Sequence, residues 1–326
     1  MLFSDNLAPG QSGPQAKSDQ YYRSLEPFLD RPTLASGPDW PTIFGRQAPL
    51  ELEIGFGNGE YLNRASLAAP ERDFLGLEIA WASIKRALRR LANPPRPNVR
   101  LIMLPAHPAL ELLLPARSLH GIRALFPVPW PRASHDDKRL FSTEFLNLVA
   151  DRLTDEGFFQ LVTDNEILAD WVLTEAAGSD LALTLTRKPA LLDTKYERKW
   201  QNQGQDTFFH LEGRPYRRRP PLTNGLQDMR PILIDRLDPL SYRPQGQTGP
   251  VTVVFGDFIF DPRHQEGLLL TKVVEGRFVQ EFFIRLARQP EGSWKVFPAI
   301  FGQALPTAGV RLALSLAAGE SPPSHD

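Results

Sequence analysis

The chain has 326 residues, 37 basic and 38 acidic side chains, a formal net charge of -1 and no cysteine. That length holds one large or two ordinary domains, each with a core of its own, and two are expected. The absence of cysteine excludes disulfides and thiolate zinc sites, and the near-neutral balance means that any nucleic-acid surface is local.

Residues 1–6 lack the basic-then-apolar layout of a secretory signal, and no run is apolar for the length of a membrane span, so a cytoplasmic protein without membrane contact is expected. Residues 1–48 mix Gly, Pro, Ser and Gln around Tyr21, Tyr22 and Trp40, which reads as a partly ordered arm. Its two tyrosines either pack on the core or stack on bases.

A short apolar strand, 50–54, then runs into Gly55-Phe56-Gly57-Asn58-Gly59-Glu60. Three glycines spaced two apart give a turn without Cβ atoms that can lie against a ligand. A dinucleotide fingerprint, G-x-G-x-x-G, would need glycine where Glu60 stands. A carboxylate there repels a pyrophosphate, whereas S-adenosylmethionine has no phosphate and carries a sulfonium and an amino group. The next strand, 74–78, delivers Glu78 about 20 residues past the loop, where a carboxylate accepts hydrogen bonds from ribose hydroxyls. Glu53, beside the loop, attracts the methionine end. S-adenosylmethionine is the expected cofactor.

Strands and helices alternate from residue 50 onward, the pattern of a mainly parallel sheet covered on both faces. Helices are predicted over 59–68, 81–92 and 143–153, and strands over 99–104, 122–126 and 158–162. The second helix sets Trp81, Ile84, Leu88 and Leu91 against Lys85, Arg86, Arg89 and Arg90, a basic face that is either solvated or turned to phosphate. The fourth strand ends in Pro127-Val128-Pro129-Trp130-Pro131, at the edge where open α/β sheets bind ligands. The fifth brings Thr163 and Asp164 to the same edge, with Asp164 either a site acid or a cap for the following helix. Closing strands are predicted at 181–186 and 207–211. Residues 187–219 hold nine basic and four acidic groups interleaved with Tyr196, Trp200 and Tyr216, a composition suited to an RNA backbone. After residue 220 the texture becomes β-rich: strands at 251–260, 268–274, 277–287 and 294–301, with a hairpin signal at Glu275-Gly276. The expected division is a 1–48 arm, a 49–219 cofactor domain and a small 220–320 β-rich domain.

Taken in order, Leu52-Glu53-Ile54-Gly55-Phe56-Gly57-Asn58-Gly59, Phe74-Leu75-Gly76-Leu77-Glu78, Leu125-Phe126-Pro127-Val128-Pro129-Trp130, His135 with Lys138-Arg139-Leu140, Thr163-Asp164 and Thr194-Lys195-Tyr196-Glu197 resemble the bacterial tRNA (guanine-N7-)-methyltransferase family over residues 49–211. The resemblance implies an α/β class I methyltransferase (Rossmann-like) doubly wound sheet of seven strands, the last antiparallel. It implies methylation of N7 of a guanine in the tRNA variable loop, using S-adenosylmethionine and no metal. Position by position, it assigns the cofactor to Glu53, Gly55, Gly57, Gly59, Glu78, Pro105 and Ala106. It assigns contact with the tRNA substrate to Arg132 and the hold on the guanine to Asp164, Thr194, Lys195, Tyr196 and Glu197, with Val128 and Glu197 at the reacting centre. A monomer or homodimer is expected.

The chain departs from the family in four places. Val128 and Pro105 stand where the family has acids, Asp136 and Asp137 interrupt its basic run, and the β-rich C-terminal region lies outside its pattern. Guanine N7 carries no proton and holds an in-plane lone pair, so transfer needs alignment and stabilisation of the purine as it becomes cationic, not a general base. Losing one acid therefore lowers the rate without removing the chemistry. The alternatives are a non-catalytic RNA-binding paralogue and a methyltransferase with another acceptor.

Overall fold

The computed structural model describes residues 24–129, 139–189, 192–222, 225–300 and 304–320. Tyr21, Tyr22, Trp130, Arg132 and His135 lie outside them. Within the arm, a two-residue strand β1 (Phe28–Leu29) is followed by two short helices, α1 (Arg31–Ala35) and α2 (Trp40–Phe44). Asp30 caps α1 by accepting the Thr33 N–H, and Gly45 ends α2 in the left-handed conformation. Trp40 is buried and donates its indole N–H to the Leu113 carbonyl, which fastens the arm to the core.

The central unit runs β2 (Leu50–Ile54), α3 (Glu60–Ala68), β3 (Asp73–Glu78), α4 (Trp81–Leu91), β4 (Val99–Met103), α5 (Ala106–Leu113), β5 (Leu119–Leu125), α6 (Thr143–Arg152), β6 (Leu153–Thr163), α7 (Glu166–Ala177), β7 (Leu181–Pro189), α8 (Lys195–Gln201) and β8 (Thr207–Pro215). These strands and β1 form one sheet of order β1-β4-β3-β2-β5-β6-β8-β7. All pairs are parallel until β8, which runs antiparallel between β6 and β7. The seven strands that the resemblance implies are therefore present, and β1 adds an eighth at the edge. All five residues of β2 are buried, as expected for a strand covered on both faces. Chain order proceeds outward from β2 to β4 and then returns to place β5 beside β2. That switch point leaves a crevice outside the carboxyl ends of β2 and β5.

Beyond residue 230 a second sheet contains β9 (Ile232–Ile234), β10 (Val251–Asp261), β11 (Glu266–Glu275), β12 (Phe278–Arg288) and β13 (Trp294–Pro298), in the order β10-β11-β12-β13-β9. Every pair is antiparallel. Gly276 and Arg277 make the two-residue turn between β11 and β12, with Gly276 at φ +56°. The region is not purely β, because helix α9 (Ala308–Ala317) closes one face of this sheet. Its Val310, Ala313, Leu314 and Ala317 recur at helical spacing and join a separate core with Val253, Leu269, Val273, Ile284 and Val296. Thr307 caps α9 by accepting the Val310 N–H. Among the described residues no helix is long and apolar enough to cross a membrane.

Candidate active site

Strand β2 ends at the glycine loop, where Gly55, Gly57 and Gly59 all take positive φ. Their roles divide. A Cβ at Gly55 or Gly57 would meet nothing within 4 Å, so this part of the loop faces open space. A Cβ at Gly59 would sit 2.8 Å from the Ala87 Cβ, so that glycine lets α3 approach α4. Glu78 reaches back from β3: its Oε2 accepts the Gly57 N–H at 3.1 Å, and its Oε1 accepts the Ile79 and Ala80 N–H groups at 2.8 and 3.0 Å. It thus holds the loop from the neighbouring strand while remaining partly open.

Glu53 is buried one residue short of the loop strand's end, and its Oε2 has no hydrogen-bond partner. Burial pushes its carboxyl up to about 8, against the pull of Arg123 and Arg64. An unpartnered acceptor in this position costs stability unless a cationic donor arrives. The other buried acid of β2, Glu51, needs none, because it is paired with Arg72 and Arg123. The donor set fits S-adenosylmethionine: an orphaned carboxylate for its ammonium, a Cβ-free loop to lie against and a strand-end acid near the sugar.

The segment 192–201 comes to the same edge from far along the sequence. Arg64 of α3 donates to the Asp193 carbonyl at 2.7 Å and pairs with its carboxylate at 3.3 Å. Arg198 bridges the Asp193 carboxylate at 2.8 Å and Glu60 at 2.9 Å. Burial raises the Glu60 carboxyl, but Asn58, Arg198 and Arg90 together draw it below its usual range. The residue that breaks the dinucleotide pattern is thus the anchor for the second half of the site.

Within that segment Thr194 caps α8 and Glu197 completes a capping box. The Glu197 carboxylate is buried and accepts the Thr194 N–H at 2.7 Å and the Leu192 N–H at 3.1 Å. This differs from a carboxylate held out to a purine edge: Glu197 works inward, on its own backbone. Tyr196 is 47% exposed and stacks on Phe126 with ring centroids 5.8 Å apart. Phe126 has φ +52°, an uncommon backbone for a bulky residue and one that clusters at functional sites. Val128, 65% exposed, follows in the same loop. Lys195 is exposed at the start of α8.

Asp164 is half-buried at the carboxyl end of β6, and its carboxylate takes no hydrogen bond among the described residues. It does not cap α7; Asn165 does, accepting the Leu168 N–H at 2.8 Å. Pro105 is exposed and Ala106 buried where β4 passes into α5.

The basic run divides in a way its composition does not reveal. Strand β8 is antiparallel, so it carries the chain from the site edge at Thr207 to the opposite edge at Pro215. There Arg217 and Arg219 pair with Asp180, Arg218 pairs with Asp155, and Arg214 pairs with Glu156. Tyr216 donates its hydroxyl to the Ser179 carbonyl at that same edge. These five residues fasten the chain as it leaves the sheet, which leaves Arg187, Lys188, Lys195, Arg198 and Lys199 toward the site edge, with Lys188 paired to Glu212. Arg64, Arg198 and Phe126 shape the site although sequence patterns did not single them out.

Residues 47–210 match the family described as putative methyltransferase. A tRNA (guanine-N(7)-)-methyltransferase of Chlorobium phaeobacteroides is 36% identical over 190 residues, covering 58% of this chain and 93% of that protein. One of Deinococcus radiodurans is 32% identical over 295 residues, covering 85% of this chain and 88% of its own length. That span is too long to stop at the eight-stranded sheet, so at least part of the C-terminal region, which lies outside the family pattern on motifs alone, is matched in this relative. For one of Thermotoga maritima the figures are 36% over 173 residues, 52% of this chain and 55% of that protein.

Proposed function

The chain belongs to the bacterial tRNA (guanine-N7-)-methyltransferase family, and from that premise we propose that it methylates N7 of a guanine in the variable loop of tRNA, in the cytoplasm, using S-adenosylmethionine. When bound, that cofactor supplies an electrophilic methyl group on a sulfonium. The chain's own residues bind and align. Glu53 accepts the ammonium of the methionine end, losing its proton as it does so. Gly55 and Gly57 give the loop a surface without Cβ atoms, and Glu78, which holds the loop, offers its remaining lone pairs to the ribose hydroxyls. Gly59 packs α3 on α4, and Pro105 with Ala106 borders the adenine.

Across the crevice, Tyr196 offers a ring face on which an unstacked guanine can lie. Asp164 accepts hydrogen bonds from the N1 and N2 edge, which strengthen as the purine becomes cationic. Glu197 and Thr194 keep that segment in shape, and Lys195 faces the tRNA backbone; the family resemblance assigns Arg132 to the same substrate. No residue needs to remove a proton from N7. With Val128 in place of an acid, the rate rests on alignment and on Asp164.

The observation that carries this reading is the buried, unpartnered Glu53 oxygen beside a loop whose Gly55 and Gly57 face open space. Transfer of a labelled methyl group to unmodified tRNA, mapped by cleavage at 7-methylguanosine, tests it. Label at a variable-loop guanine is expected. Absence of transfer from a preparation that binds neither S-adenosylmethionine nor tRNA would refute the proposal.

A further inference from the structure

The face of the central sheet that carries Glu53 is polar where buried parallel strands are ordinarily apolar. Register partners run Glu53, Arg123, Gln160 and Glu212 across β2, β5, β6 and β8. On the other side of Glu53 the register partner is Gly76, which offers no side chain, so Arg123 is the charged group beside Glu53 in this row. Yet among the described residues no hydrogen bond or ion pair joins the two. Arg123 is held elsewhere: by the Glu51 carboxylate, by Gln160 Oε1 at 3.1 Å, and against the rings of Tyr61 and Phe158, whose centroids lie 5.2 and 4.4 Å from its guanidinium carbon. Gln160 donates in turn to Glu212 at 2.8 Å. Glu51 and Glu53 stand two apart on one strand and so share this face. Glu51 takes the guanidinium, and Glu53 keeps a free oxygen. A buried ion pair is often no better for stability than an apolar pair of the same volume, so the fold alone does not call for this one.

We propose that Arg123 and Glu51 are positioning residues for the cofactor's ammonium: Arg123 fixes a positive charge one strand away from Glu53, and Glu51 holds that charge off, so that the free Glu53 oxygen is kept for the ligand. This inference rests on the S-adenosylmethionine reading of the site. The titratable groups that face Glu53 are Tyr61 and Arg64 of α3, Glu78 of β3, Arg123 of β5 and Glu51 of its own strand. Burial keeps the empty Glu53 carboxyl protonated, and Arg123 is the strongest pull against it. Binding an ammonium therefore exchanges a proton for a cation. Arg123 attracts the carboxylate and repels the cation that replaces the proton, so it acts chiefly on the pH at which the exchange occurs and only modestly on affinity at neutral pH. Without Glu51, Arg123 is free to pair with Glu53 itself, and the ligand must displace it.

Calorimetric titration of the full chain with S-adenosylhomocysteine, in buffers of different ionisation enthalpy, tests both halves without catalysis. The wild-type carboxyl, near 8, has lost most of its proton at pH 8.5, so Glu53 releases about a quarter of a proton on binding there, and the ligand's own ammonium contributes equally to every variant. Arg123→Gln and Arg123→Met push the carboxyl higher. Each is expected to release most of a proton at pH 8.5, with affinity only about two- to fivefold lower at pH 7, and Arg123→Lys restores the wild-type release. Glu51→Gln is expected to bind about tenfold or more weakly at pH 7 and to release little or no proton, because Arg123 then neutralises Glu53 directly; adding Arg123→Gln restores the release. Every variant is first checked for a cooperative melt. Folded charge-removing variants at 123 that release no more proton than the wild type at pH 8.5, or that lose affinity equally at every pH, overturn the role of Arg123. A folded Glu51→Gln that still releases close to one proton at pH 7 overturns the role of Glu51. Failure of the wild type to bind the ligand refutes the cofactor reading, and this inference with it.

Discussion

The glycine loop and the 192–201 segment meet at one edge of the sheet, yet they are stabilised in opposite ways. The loop is built from eleven consecutive residues on a fully buried strand, and it leaves the Glu53 oxygen without a partner. The segment's position depends on contacts 129 and 138 residues distant in sequence, through Arg64 and Arg198, and its buried acid is engaged by backbone. An unsatisfied group weakens the empty protein and is held for a ligand; a satisfied one maintains a shape. One half of the site is therefore poised for charge and the other for form.

Breaking the first half gives the largest effect. Glu53→Gln removes the negative charge but keeps the shape, and it is expected to weaken S-adenosylhomocysteine binding about a hundredfold, leaving tRNA binding intact. Calorimetry checks the first part and filter binding the second. The wild-type carboxyl sits near 8 rather than its ordinary 4.5. Below that value it is protonated, so binding an ammonium releases a proton, and affinity rises as pH climbs toward 8 and then levels. Heats measured at pH 7 in buffers of different ionisation enthalpy should report close to one proton released, and none for Glu53→Gln. The sign for stability is opposite. The folded protein holds this proton more tightly than the unfolded one, so the contribution is full below about 4.5 and is lost as pH rises through 8. Ligand-free Glu53→Gln should lack that loss and melt above the wild type at pH 9.

Breaking the second half separates recognition from cofactor binding. Glu197→Ala removes the acceptor for two backbone N–H groups, and Thr194→Ala removes the reciprocal cap, worth about 1 kcal/mol. Methyl transfer to tRNA is expected to fall roughly tenfold to a hundredfold for Glu197→Ala and less for Thr194→Ala, with S-adenosylhomocysteine affinity unchanged in both. Equal loss of both functions would mean that the two halves fold as one. A third change places charge between them. Val128→Asp restores an acid at an exposed position of the β5 loop, and kcat is expected to rise about tenfold if preorganised charge is what the site lacks.

The contrast also explains what the sequence made legible. The loop and its flanking helices are local, and strand 50–54, the helix opening at Glu60 and the acid at 78 were all readable from spacing. Helix α9 was missed by the β-rich reading of residues 220–320, although Val310, Ala313, Leu314 and Ala317 repeat at helical spacing behind Thr307. Within 187–219, composition alone gave one basic run. Only the direction of β8 reveals that Arg217–Arg219 fasten the far edge while Arg198 serves the site. The burial of Glu197 was equally hidden, because a capping box and a ligand-binding acid look alike in a Thr-x-x-Glu pattern. Long-range ion pairs leave no periodicity, so Arg64 and Arg198 could not be distinguished from other surface cations.

The smallest effect is expected at the link itself. Arg198 joins Glu60 and Asp193 but is itself 44% exposed, and exposed pairs contribute about 0–1 kcal/mol. Arg198→Ala should therefore raise the KM for tRNA only a few-fold. Two explanations of that change make different demands. If Arg198 matters by docking the segment on α3, Glu60→Gln reproduces the effect, because it removes the same bridge from the other side. If it matters by contacting phosphate, Glu60→Gln is harmless, and Arg198→Ala alone lowers the slope of log affinity against log salt by about one. The docking account predicts matching KM values for the two variants and an unaltered salt slope, since the bridge, not the free charge, is what brings the shape-bearing half of the site up to the loop.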